Sequence, residues 1–267
     1  MSTVIDVHCH VSPVWYEPVE TLVFQMQRHG VAHAVLTQIL GQSDNAYLLE
    51  CAALFQGRFS CMVAVDDTQP GAAEELRKLA AAGARGVRTR LAPADAGSSI
   101  SRLWGVASEE NMVVSCAGSV SGFLSSEFER ALLEYPSLLV LGEHLGGLAR
   151  PDSQITAATV EGVKALARFP NLCLKVPPLG QITRRPMRFP HTGCPLDLAA
   201  GQVIHEVLEA FGNDRLCWGS DFPLVSSREG YGNALAWSIE LVSSLGPLAV
   251  RRIFADNAQR IFRIAHL

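Results

Sequence analysis

Val4-Ile5-Asp6-Val7-His8-Cys9-His10 reads as a buried strand that ends in two imidazoles. Residues i and i+2 of a strand point to one face, so His8 and His10 aim at the same spot. Two neutral imidazole nitrogens meeting at a strand end make half of a metal site or a proton-transfer pair. Two histidines sharing a turn without chemistry is the bland alternative. The rest of the chain decides between these readings.

Working outward, short apolar runs rich in β-branched residues recur at 32–38, 59–65, 86–91, 112–116, 138–143, 172–176 and 216–220. Helical periodicity fills the intervals, at 20–28, 45–55, 71–82, 101–109, 125–135, 156–168 and 202–211, and two closing helices are expected at 233–244 and 247–262. Eight strands alternating with helices imply parallel βαβ units with right-handed crossovers. The expected fold is therefore an α/β (β/α)8 TIM barrel. An open doubly wound sheet is the rival, but no Gly-rich phosphate loop follows the first strand. No linker, repeat or low-complexity tract divides residues 1–267, so one domain is expected.

Composition narrows the class. A chain of 267 residues with 48% hydrophobic content supports a large core, and single α/β barrels run to about 250 residues. Net charge is −4 with dispersed basic residues, which gives no electrostatic footprint for nucleic acid. No apolar run approaches the ~20 residues needed to span a membrane. The first residues carry no basic and apolar leader pattern. The seven cysteines lack paired spacing, and Cys61, Cys173 and Cys217 fall within strands. Buried, reduced thiols in a cytoplasmic protein are expected.

In a barrel of this kind chemistry collects at the C-terminal ends of the strands. The first strand ends with His8 and His10. The sixth ends with Glu143-His144 before Leu145-Gly146-Gly147, and the eighth runs into Trp218-Gly219-Ser220-Asp221-Phe222-Pro223. Three imidazoles and a carboxylate thus converge on one rim. Such a set holds one divalent metal, or acts unaided as acid, base and carbonyl polariser.

These segments, with the closing Asn257-Ala258-Gln259-Arg260-Ile261-Phe262, resemble the amidohydrolase-related branch of the amidohydrolase superfamily. That branch holds sugar lactonases, pyrone dicarboxylate lactonases and carboxymuconate semialdehyde-type decarboxylases, and the resemblance runs from residue 4 to about 262. It implies a distorted barrel that hydrolyses a lactone, ester or amide, or else a non-oxidative decarboxylase. It also implies that His8, His10, His144 and Asp221 are metal ligands, with Asp221 and His144 catalytic. Asp221 would take a proton from the attacking water and deliver it to the leaving oxygen. One departure matters: the fifth strand ends Ser115-Cys116-Ala117, without the His or carboxylated Lys that metal-dependent relatives place on an intermediate strand. A single ion is expected, zinc in preference, with metal-free catalysis as in the pyrone lactonases the alternative. Cys116 is read as an inert buried thiol rather than a thiolate ligand.

The substrate side is read from Arg88, whose place inside the barrel resembles the lactonases' carboxylate clamp. A salt bridge to Asp95 or Glu143 is the competing role. Gln38 ends the second strand as an amide contact, and Trp15 and Tyr16 form an aromatic wall. Segment 177–195 is long enough for a lid and carries Arg184 and Arg185, of which Arg184 supplies a second anion contact. The expected partner is a small molecule bearing a carboxylate or an aromatic ring, with no nucleic acid and no membrane. A homo-oligomer is compatible with the sequence. The reading is a lactonase-like hydrolase, and a metal-dependent decarboxylase of a small aromatic or unsaturated acid is the alternative.

Overall fold

The computed structural model describes residues 3–91, 100–183 and 199–265. Its eight strands are β1 (Val4–Cys9), β2 (Val31–Thr37), β3 (Phe59–Val63), β4 (Gly86–Arg90), β5 (Val113–Ala117), β6 (Val140–Gly142), β7 (Leu172–Val176) and β8 (Leu216–Trp218). All pair in parallel in chain order, each strand beside the next. The barrel nearly closes between the end of β1 and the segment after β8, where Asp221 N–H donates to the His8 carbonyl at 2.9 Å and His10 N–H to the Phe222 carbonyl at 2.7 Å. The chain is a (β/α)8 TIM barrel. Among the described residues, no helix is long and apolar enough to cross a membrane.

The interior is layered. Ile5, Val7, Val35, Met62, Val113, Leu141, Cys173 and Cys217 form an apolar plug low in the barrel. Two residues further along their strands stand Ser115, Glu143 and Lys175, joined by Arg88 from β4, all buried. Period-two geometry thus places a charged layer directly above a greasy one. The six described cysteines are buried and free.

Below, the barrel is sealed by the helix Asn257–Phe262, whose Ala258, Ile261 and Phe262 join the apolar plug. Burying Ile261 and Phe262 is worth roughly 2 kcal/mol each. The expected single helix at 247–262 is in fact broken into Pro247–Arg251, a π-helical Arg252–Asp256 and Asn257–Phe262. The wider turn shifts the helix's angular register. Ile253 and Phe254 consequently face the outer core, and Ile261 and Phe262 the barrel. β6 and β8 are shorter than their apolar runs, so Glu143, His144, Ser220 and Asp221 lie just beyond strand ends. Periodicity also passed over two short helices, Val120–Phe123 and Leu179–Ile182.

Candidate active site

The register of β1 against β2 shifts between Asp6 and Cys9. Such an irregularity re-aims a strand. Ile5 and Val7 belong to the inner plug, yet His8 and His10 also converge, with Nε2 atoms 3.1 Å apart. Asp6 fixes the irregularity from the other side. Its carboxylate accepts from the backbone N–H of His8 at 3.2 Å and of Ser220 at 2.8 Å, and from the Tyr231 hydroxyl at 2.9 Å.

His144 and Asp221 have φ values of 51° and 61°. A non-glycine residue in the left-handed region costs about 1–3 kcal/mol, and such residues cluster at functional sites. The turn after His144 needs its glycines: Gly147 has φ 85°, and a Cβ there would lie 2.7 Å from the Val120 backbone nitrogen.

Asp221 is the hub. Its Oδ1 lies 3.6 Å from His8 Nε2, 3.8 Å from His10 Nε2 and 3.6 Å from Lys175 Nζ. Gln181 Nε2 donates to its Oδ2, which also faces Arg228 Nη1 at 3.6 Å. Burial pushes this carboxyl up, but Lys175 and the imidazoles around it hold it well below the usual carboxylate range. Burial, then Lys175, pushes His144 down to about 4 and His8 well below the ordinary histidine value. His8 and His144 are therefore neutral, with lone pairs to offer.

His10 Nδ1 lies 2.7 Å from the Thr37 carbonyl. A carbonyl only accepts, so Nδ1 carries a proton and Nε2 is the nitrogen turned toward Asp221. Donors bound tetrahedrally to a zinc-like ion at about 2.0–2.1 Å stand about 3.3 Å apart. The 3.1, 3.6 and 3.8 Å separations within His8, His10 and Asp221 fit one such ion. His8 Nδ1 is buried with no hydrogen-bond partner among the described residues, so no fixed acceptor dictates which of its nitrogens is protonated. His144 groups instead with His8 and Glu143. Its ring centroid is 5.7 Å from that of His8, and its Nε2 is 3.6 Å from Glu143 Oε2.

Arg88 meets Glu143 in a bidentate pair, Nε at 2.8 Å and Nη2 at 2.7 Å, while Nη1 donates to the Gln38 carbonyl at 2.9 Å. Burial pushes the Glu143 carboxyl up, and Arg88 overcomes this to bring it down to about 2. Arg88 still lines the cavity, as do His10, Tyr16, His144, Asp221 and Arg228. That cavity encloses about 800 Å³ at the C-terminal mouth of the barrel. The other substrate-side expectations divide. The Gln38 side chain is taken up by its own loop, accepting from Ile39 N–H and donating to the Asp44 carbonyl. Trp15 is 70% exposed, whereas the Tyr16 ring packs 5.8 Å from that of His10. Arg184, Arg185 and Asp95 lie outside the described residues. Trp218 is fully buried against Phe254. At the end of β5, burial pushes the Cys116 thiol up, as expected for an inert position.

The amidohydrolase family model matches residues 5–264. The chain belongs to the amidohydrolase family. A search of curated proteins gave no significant match. Among solved structures, this amidohydrolase is similar to a Pseudomonas putida protein described as a candidate 2-pyrone-4,6-dicarboxylic acid hydrolase, at 23% identity over 100% of both chains and a TM-score of 0.78. It is similar also to a Burkholderia multivorans amidohydrolase with bound zinc, at 17% identity over 98% of this chain and 100% of that one, TM-score 0.79. A third is a dihydroxybenzoic acid decarboxylase from Polaromonas sp. with bound manganese and 2-nitroresorcinol, at 15% identity over 100% and 98% of the chains, TM-score 0.71. At these identities the likeness is one of fold.

Three polar groups around Asp221 escaped the sequence reading of the amidohydrolase: Lys175, Gln181 and Arg228. Lys175 left a signal, because period two puts it on the inward face with Cys173. Gln181 and Arg228 come from connecting segments and left none. Lys175 also depends on Gly219, where a Cβ would lie 2.8 Å from His8 Cβ and 3.3 Å from Lys175 Cε. Gly219→Ala is expected to lower stability by about 1–3 kcal/mol through overpacking. A urea unfolding midpoint checks it.

Proposed function

We propose that this amidohydrolase opens a small cyclic ester or amide bearing a carboxylate, as a lactonase-like hydrolase. The observation that carries the reading is Asp221: a buried, ionised carboxylate on the wall of an open cavity, flanked by the His8 and His10 imidazoles and by Lys175 and Arg228. A cavity of about 800 Å³ suits a ring with one or two substituents rather than a polymer. Arg228 and Arg150 line it and supply positive charge for a substrate anion, while Tyr16 offers an aromatic face. Arg88, tied to Glu143, braces the wall behind His144.

In the proposed step Asp221 accepts the proton of the attacking water and passes it to the leaving oxygen. Lys175 and Arg228 make it a weak base at rest. As negative charge grows on the carbonyl oxygen it draws on the same cations, and basicity returns to Asp221. His8, His10 and Asp221 would hold the ion, zinc by the character of its donors, and such an ion would acidify water and polarise the carbonyl. His144 stands ready to donate to, or orient, the reacting carbonyl.

The test is a turnover panel run with and without added zinc. Carboxylated lactones should release acid, measured by pH-stat, without release of carbon dioxide. Carbon dioxide from carboxylated aromatics, with the lactones untouched, would assign decarboxylation instead.

A further inference from the structure

In the reaction as written Lys175 acts only through its charge on Asp221, yet its placement in the barrel is unusual for a lysine. Its side chain is fully buried at the end of β7, between the apolar plug and the cavity. Its Nζ makes no hydrogen bond among the described residues and instead faces Asp221 Oδ1 at 3.6 Å. A lysine is rarely buried in this way without a charge to meet. Gly219 leaves the space along its stem, since a Cβ there would press on Lys175 Cε at 3.3 Å.

The same Oδ1 faces His8 Nε2 and His10 Nε2. The oxygen that would be the third donor to a divalent ion, beside the two imidazoles, is therefore the one that already faces Lys175 Nζ. Since zinc–oxygen bonds span about 2.0–2.2 Å, an ion on Oδ1 would stand within about 6 Å of Nζ. Two like charges that close in a buried site repel strongly. Arg228, 3.6 Å from Oδ2, adds to the effect.

We infer that Lys175 is a positioning residue that sets metal affinity: a built-in counter-charge to Asp221 that keeps divalent ions weakly held at His8, His10 and Asp221. The inference rests on the donor set proposed above. A merely structural lysine would act differently, because removing it would loosen the site and weaken metal binding. Removing a competing charge strengthens it.

The experiment measures the zinc dissociation constant of the chelator-treated protein by competition with a chromophoric chelator. Wild type is compared with Lys175→Met, which keeps the length and loses the charge, and with Lys175→Gln. Both variants are expected to bind zinc at least about ten-fold more tightly than wild type. Equal or weaker affinity in the variants overturns the inference and leaves the donor set standing. No zinc binding by any of the three proteins overturns both. Should both variants fail to fold, the wild-type constant decides alone: micromolar or weaker supports the inference, and nanomolar overturns it.

Discussion

Replacing Asp221 by Asn is expected to lower turnover about 10³-fold while leaving the barrel folded. Asn is the right substitution for two reasons. It tolerates the left-handed backbone that residue 221 adopts at φ 61°. It also keeps an oxygen for Gln181, which donates to Oδ2 in the native protein. What it removes is the charge and the proton-accepting capacity. Lys175 then loses its nearest counter-charge, but a buried amine can shed its proton rather than remain an unpaired ion. A modest fall in melting temperature is expected alongside the kinetic loss. Assay below that temperature, with circular dichroism as the control for folding, separates the two effects. A rate near wild type would remove Asp221 from the proton-transfer role.

The largest expected effect on stability belongs to Arg88. Arg88→Met strands Glu143, whose side chain is fully buried and would be left with the Ser115 hydroxyl at 2.7 Å and the His144 ring at 3.6 Å. Breaking a buried pair from one side costs about 3–5 kcal/mol, because an uncompensated charge remains. The double variant Arg88→Met with Glu143→Leu should recover most of that loss, since it removes both charges together. Urea unfolding at neutral pH measures all three proteins. The pair also predicts a pH window. Glu143 lies at about 2 when folded against an ordinary 4.5, so its contribution is full above 4.5 and is lost as pH falls toward 2. An Arg88→Met midpoint equal to wild type would mean that the pair does not brace the wall behind His144.

Much of this architecture was legible because strand periodicity is local. Eight short β-branched runs alternating with helices specify a parallel barrel, and the i, i+2 rule brings His8 and His10 to one point. Strand ends then indicate where His144 and Asp221 go. The rest depends on relations between distant segments. Nothing within Val4–Cys9 announces the register shift that lets His8 and His10 converge above Ile5 and Val7, because Asp6 is held by Ser220 and Tyr231. Arg88 could be read as a substrate clamp or as a partner of Glu143, and only the fold shows its guanidinium forked onto that carboxylate. Gln38 and Trp15 followed strands as a binding residue would. One is consumed by its own loop and the other stands 70% exposed. Lys175 shares the inward face of its strand with Cys173, but only the fold shows its side chain fully buried beside Asp221.

In the proposed hydrolysis, water positioned by Asp221 attacks a carbonyl. Turnover of a carboxylated lactone in ¹⁸O-enriched water, followed by mass spectrometry of the product, tests it most directly. One heavy oxygen in the newly formed carboxylate and no carbon dioxide are expected. Product without the label, or a product lighter by carbon dioxide, would contradict it.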